Sequence, residues 1–293
     1  MFTKAIENAA GFTRAIHSIS RNYGSTVIQP GAATLFFVNA DGWALTCGHV
    51  VRQLLASDKI MANRQAFANE LNDQRGEKKE RVLLRELEKK YNCSKNEIFE
   101  QRNSFVNCVD GTIDAEWKSH SCLDIALIHF RNFSQLHCDS FPTFAANGDG
   151  LKQGKFLCRL GFPFAEFSNY AYDDIADTIN WTDMGQQYTP CFPIEGMVTR
   201  YVRHADQINC FEMSTPGLRG QSGGPAFDTD GVIWGMQFAT NHLDLDFDVN
   251  QEVLRCGSKK RVTSNAFLHV GLCIHVNALK SFMKEHGVHF QEA

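Results

Sequence analysis

One hydroxyl framed by glycines, one histidine and one aspartate are the residues of this chain whose types and order could do chemistry. Ser222 lies at the centre of Gly217–Pro225, which reads Gly-Leu-Arg-Gly-Gln-Ser-Gly-Gly-Pro. Glycines on both sides let the backbone turn tightly and bring its amides close to a reacting atom. In acyl transfer, a nucleophilic oxygen stands at such a turn, and the amides of Gly220 and Ser222 would point at the oxyanion forming beside it. The same composition also suits an ordinary loop, so the serine gains meaning only from its partners. A hydroxyl nucleophile needs a base, and the base needs an orienting carboxylate. His49, in Thr46-Cys-Gly-His-Val-Val51, and Asp124, in Leu123-Asp-Ile-Ala-Leu-Ile128, supply those two types upstream, in the order His, Asp, Ser.

The elements that must hold these groups read mostly as short strands. Residues 33–38 form an apolar strand, 39–42 a turn of Asn, Ala, Asp and Gly, and Trp43–Thr46 the return strand, so His49 falls just past a strand end. Asp124 opens a second apolar run, whereas Asp110 and Asp114 sit in polar, glycine-containing surroundings that read as a turn. Further strands are expected at 155–160, 197–202, 208–213, 231–238 and 267–274, with an amphipathic helix over 276–286. Residues 168–188 read as a loop bordering a cleft, and 136–150 as a linker.

Two stretches break the β pattern. Phe2, Ile6, Ala9, Phe12, Ile16 and Ile19 mark a loosely helical face over residues 1–24, too short of an apolar core for a secretory signal. Residues 52–105 are dense in charge. Stripes at Leu54, Leu55, Met61, Phe67 and Leu71, and at Leu83, Leu84, Leu87 and Tyr91, predict two helices joined near 72–76. This insertion is either a decorative subdomain or a lid or docking arm for a regulatory protein partner.

With the triad motifs in place, the sequence resembles the chymotrypsin-like (trypsin-like) serine peptidases, most closely the bacterial branch that includes the HtrA/Deg type. The segments 36–51, 151–163, 195–200 and 231–236 carry the resemblance beside the Ser222 motif. It implies a mostly β fold of two six-stranded antiparallel β-barrels with a helical insertion in the first and helices at both ends. The first barrel would span 25–135 with His49 and Asp124, interrupted by 52–105, and the second 151–293 with Ser222. No room remains in these residues for a PDZ domain after the catalytic unit.

The implied activity is that of a serine endopeptidase acting on protein or peptide substrates through His49, Asp124 and Ser222, with no cofactor and no metal. Thr215, Pro216 and Gly217 would form one wall of the primary specificity pocket, and Phe238, Ala239 and Thr240 the other. Pro216 stands near the place where trypsins keep an acid, so simple recognition of Arg or Lys is not expected. Gln221 replaces the aspartate that pairs with a newly cut N-terminus in trypsins, which speaks against that mode of activation. Asp244, Asp246 and Asp248 would share one face of a strand, as a solvated acidic edge, a pocket for basic residues or a calcium site. An esterase with the same triad, or a protease-fold scaffold working through its insertion, remains the alternative.

Composition limits the rest. The 293 residues are 43% hydrophobic and include 23 phenylalanines, enough for a sizeable core. A net charge of −4 argues against a nucleic-acid partner, and no apolar run approaches the roughly 20 residues of a membrane helix. The ten cysteines (47, 93, 108, 122, 138, 158, 191, 210, 256 and 273) are scattered singly, without a C-x-x-C pair. They read as reduced, buried thiols of a cytoplasmic protein.

Overall fold

The computed structural model describes residues 1–293 apart from 75, 77, 78, 112, 205, 206 and 256, and the side chains of 80, 204, 207 and 255 are likewise outside the described set. The prediction for Cys256 therefore lies outside the described residues. No described helix is long and apolar enough to cross a membrane.

Helix α1 (Thr3–Phe12) buries Ala5, Ala9 and Phe12 along one face. It stops at Thr13, where the backbone becomes extended and the hydroxyl donates to the Ala9 carbonyl at 2.6 Å. Residues 13–22, expected to be helical from their spacing, instead form strand β1 (Thr13–Asn22). The physical reason is a period of two: Thr13, Ala15, His17, Ile19 and Arg21 are buried at alternate positions, with Ile16 buried from the other face, and the polar members hide that period in the sequence. The first sheet thus begins at residue 13 rather than 25.

Strands β2 (Gln29–Phe37) and β3 (Trp43–Thr46) form the expected hairpin. Gly42 turns it at φ +85°, where a Cβ would lie 2.5 Å from the Phe130 carbonyl oxygen. Helices α2 (Gly48–Asp73) and α3 (Glu80–Lys90) follow. The helical insertion ends there, because β4 (Ile98–Phe105) is a strand paired with β1. This corrects the end of the insertion from 105. Phe67, Leu83, Leu87 and Phe99 form a small core shared by the helices and β4. Beneath it the buried Glu100 accepts from Arg21 Nε at 2.8 Å and lies 3.4 Å from Arg64 Nε, so charge joins α2 to the sheet.

The first half closes with β5 (Val109–Asp110), β6 (Asp114–Ser119), β7 (Ala126–Arg131) and β8 (Gln135–Leu136). Asp110 and Asp114 thus lie on strands rather than in a turn. Six strands, in the order β4-β1-β2-β3-β7-β6, make one curled antiparallel sheet. The stretch read as a linker carries β8 and also β9 (Thr143–Phe144).

The second half contains β10 (Phe156–Arg159), β11 (Tyr170–Asp173), β12 (Thr178–Trp181), β13 (Ile194–His204), β14 (Gln207–Met213), β15 (Pro225–Phe227), β16 (Val232–Arg255) and β17 (Ser258–His275). Helix α4 (Val276–Glu285) and β18 (Gln291–Glu292) end the chain. Strands β15-β10-β13-β14-β17-β16 are paired in sequence, and β15 pairs back to β16, so six strands close a barrel to which β9 and β18 attach in parallel. The fold is mostly β and of the chymotrypsin-like two-barrel kind. Residues 168–188 are not an unstructured loop. They hold the β11–β12 hairpin, whose Ile179 packs with Phe167 and Ile19. Only Gly271–Ile274 of β17 pairs with β14, so the remainder of the β16–β17 hairpin extends past the barrel as a two-stranded arm.

Candidate active site

His49 occupies the first turn of α2, directly after β3 delivers the chain to Cys47. Asp124 comes from the loop before β7, where the amides of Cys122 and Leu123 donate to His120 Nδ1 at 3.0 and 2.9 Å and fix the approach. The two residues meet twice. Asp124 Oδ2 lies 2.6 Å from His49 Nδ1, and Asp124 Oδ1 accepts from the His49 backbone amide at 2.8 Å. The carboxylate therefore does two jobs. It holds the ring, and it satisfies an amide at the N-terminus of α2, where negative charge is favoured. No side chain of Cys47 caps that helix.

Burial pushes the Asp124 carboxyl up, but the hydrogen bonds and charge of His49, with Arg52 beyond, outweigh it and hold the group below its usual range. Arg52 Nη2 approaches Oδ1 at 3.5 Å from the exposed side. Cys47, His49 and Asp124 offer ligand atoms within 4.8 Å of one another. His49 Nδ1 and the carboxylate are engaged with each other, however. The Cys47 thiol faces the Gln237 carbonyl at 3.4 Å, and burial raises its pKa well above the ordinary thiol value. The donor set suits an imidazole–carboxylate pair better than a metal, which needs the thiolate.

Ser222 sits on the loop between β14 and β15, and its glycines are sterically required. Gly220 has φ +97° with a Cβ position 2.3 Å from the Phe162 carbonyl oxygen, and Gly223 has φ +91° with one 2.1 Å from the Thr34 carbonyl oxygen. Thr34 clamps the turn from the other barrel: its hydroxyl donates to Gly220 O at 2.6 Å and its amide to Ser222 O at 3.0 Å. Gln221 is fully buried and braces the loop, its Oε1 accepting from Leu218 N at 3.1 Å and its Nε2 donating to Phe192 O at 3.3 Å. The amides of Gln221, Gly223 and Gly224 donate to Leu218, Gln237 and Gln221 carbonyls. Among the described residues, the Gly220 and Ser222 amides have no such backbone acceptor, which is what an oxyanion site requires.

The Gln237 carbonyl ties the two halves together. It accepts from Gly223 N at 2.9 Å and from Cys47 Sγ at 3.4 Å, so the residue after Ser222 and the residue two before His49 share one acceptor. The proposed pocket walls are likewise adjacent, since Thr240 Oγ1 donates to Gly217 O at 2.7 Å. Thr215, Pro216 and Gly217 precede Ser222 on its loop, and Phe238, Ala239 and Thr240 follow Gln237 on β16.

Asp244, Asp246 and Asp248 are not gathered there. They lie on the exposed hairpin arm, where the register with β17 slips between Asp244 and Asp248 and Asp246 takes φ +58°. Sequence reasoning missed Arg159, fully buried behind Thr215 and Pro216, and the carboxamide of Gln237. The available signal was an arginine inside the otherwise apolar strand 156–160.

The trypsin-like peptidase domain family matches residues 33–236 of the chain. No curated protein matches it. Among solved structures, the HtrA-type protease AlgW with tripeptide is similar over 98% of this chain and 65% of its own, at 13% identity and a TM-score of 0.46.

Proposed function

Because the chain belongs to the trypsin-like peptidase domain family, we propose that it is a serine endopeptidase working through an acyl-enzyme. One observation carries the reading: the Asp124 carboxylate grips both the ring and the backbone amide of His49, at 2.6 and 2.8 Å. With Nδ1 thus held protonated, Nε2 is left as the base that takes the Ser222 proton when the hydroxyl attacks a substrate carbonyl. Asp124 stabilises the imidazolium, and the free amides of Gly220 and Ser222 receive the oxyanion. The imidazolium then returns its proton to the leaving amine, and water releases the acyl group. These roles follow the general Ser-His-Asp scheme.

Gln221 orders the nucleophile loop without a charged partner, which supports a site that forms without N-terminal cleavage. Nine described thiols, all free, support a reducing, cytoplasmic setting. Cys122 and Cys191 are exposed rather than buried, which departs from the sequence expectation. The continuity of α2 with His49 favours a second reading, a regulatory partner that acts by shifting the insertion. A deletion that probes it has to stop short of β4.

The test is labelling by a fluorophosphonate probe, with Ser222→Ala and His49→Ala alongside and the modified peptide mapped. Labelling confined to Ser222 and lost in both variants is expected. A folded wild-type protein that takes up no probe, alone or with residues 58–90 deleted, would sink the peptidase reading and favour the scaffold alternative.

A further inference from the structure

Among the described residues, Arg159 is the largest fully buried side chain. Its Nη2 donates to Thr215 O at 3.0 Å, Thr215 Oγ1 at 2.6 Å and Pro216 O at 3.1 Å, and its Nη1 donates to Gln237 Oε1 at 2.6 Å. Every one of these acceptors is neutral. Among the described residues no carboxylate forms an ion pair with Arg159, and its Nε is buried with no partner at all. A guanidinium stays protonated even where burial lowers its pKa, as it does here. A buried charge without a counter-charge is unfavourable, so this one calls for an anion.

Its place in the fold says where that anion comes from. Thr215 and Pro216 lie a few residues before Ser222 on the same loop, and Gln237 is the residue whose carbonyl receives the Gly223 amide. Glycines leave the space that the Arg159 and Gln237 side chains fill. A Cβ on Gly271 would fall 1.9 Å from Arg159 Nη1, one on Gly217 2.1 Å from Gln237 Nε2, and one on Gly196 2.4 Å from Thr215 Oγ1. The Gln237 carboxamide now occupies it, with its oxygen on Arg159 and its nitrogen donating to Ala239 O. An amide presents one acceptor and no charge, whereas a carboxylate presents two acceptors and the missing charge.

Building on the peptidase reading above, we infer that Arg159 and Gln237 form the floor of the primary specificity pocket and select substrates with an acidic side chain immediately N-terminal to the scissile bond. The incoming carboxylate takes the place of the Gln237 amide oxygen on the guanidinium and reaches the unpartnered Nε. The displaced carboxamide turns its N–H donors toward it.

The experiment compares rates of covalent labelling of Ser222 in the full chain by peptidyl diphenylphosphonates that carry Glu, Gln, Leu or Lys side chains at that position. A small alkyl fluorophosphonate, which makes no use of the pocket, reports on Ser222 alone. The Glu probe should react about 10- to 100-fold faster than its Gln isostere, the value of a charge-assisted hydrogen bond. That ratio should fall to about one in Arg159→Met. Gln237→Glu supplies an internal carboxylate to Arg159 and should abolish the preference in the same way, which keeps the test decisive if Arg159→Met does not fold.

Equal rates for Glu and Gln probes, or a faster Leu probe, with normal fluorophosphonate labelling, would overturn the inference, make Arg159 a staple for the Thr215–Pro216 turn and leave the peptidase reading standing. If fluorophosphonate labelling itself fails, the peptidase reading falls. Calorimetric binding of peptides ending in Glu against Gln then decides the pocket separately, with equal affinities refuting it.

Discussion

Replacing Asp124 by asparagine isolates the one contact on which the proposed chemistry rests. The native carboxylate receives two N–H groups from the same residue, the ring Nδ1–H at 2.6 Å and the main-chain amide at 2.8 Å. Asparagine has nearly the same shape but only one acceptor. The backbone N–H cannot reverse its polarity, so the amide oxygen stays on it and the NH2 group turns toward the ring. Nδ1 must then be the acceptor, and the proton moves to Nε2, the nitrogen that should take the Ser222 proton. A wrong tautomer of this kind costs a Ser-His-Asp site on the order of 10⁴ in rate, or about 5.5 kcal/mol of barrier. Stability should change less, because each charge-assisted hydrogen bond of the carboxylate is weakened to a neutral one rather than lost, and Arg52 sits in solvent at 3.5 Å. The assay is the second-order rate of fluorophosphonate labelling at Ser222 beside a urea unfolding curve. A variant that labels within tenfold of the wild type would refute the orienting role of Asp124, provided the two proteins are equally folded.

Gly223→Ala should destabilise the fold by about 3 kcal/mol or more and abolish labelling, because its Cβ would sit 2.1 Å from Thr34 O and 2.5 Å from Thr46 Oγ1 at a φ of +91°; a chemical denaturation midpoint equal to wild type would contradict this. His17 is buried against Phe167, stacked at 3.9 Å, and burial lowers its pKa to about 4. The unfolded chain therefore binds a proton between pH 6.5 and about 4 that the folded chain refuses, so stability is intact above pH 6.5 and falls as pH drops through that window, by roughly 2–3 kcal/mol. His17→Phe should flatten that part of the pH–stability curve, and a curve parallel to wild type would count against it. Phe67→Ala empties the small core shared with Tyr23 and Phe99, at ring distances of 5.8 and 5.5 Å, and should cost about 3–5 kcal/mol. Hydrogen exchange should then rise across residues 58–90 while β2, β3 and β7 keep their protection; uniform loosening of both would show that the insertion and the barrel unfold as one unit.

The sequence alone picked out the candidate residues of the site, because the patterns that mark them are local. A serine between glycines, a histidine just past a strand end and an aspartate opening an apolar run are legible from residue type and spacing. The hairpin at 39–42 and the helix over 276–285 were legible for the same reason, since turn chemistry and a helical apolar stripe are written in neighbouring residues. Tertiary structure decided what depends on residues far apart in the chain. Strand β1 looked helical because its buried set includes Thr13, His17 and Arg21, polar side chains whose partners are Ala9, Thr189 and Glu100 respectively. Strand β4 was absorbed into the charged insertion because Glu100 is buried only by virtue of arginines on β1 and α2. Arg159, within the strand expected at 155–160, had no assigned role until the fold placed Thr215, Pro216 and Gln237 around it. A buried ionic group is affordable only where the whole chain converges to satisfy it, and no window of sequence contains that convergence.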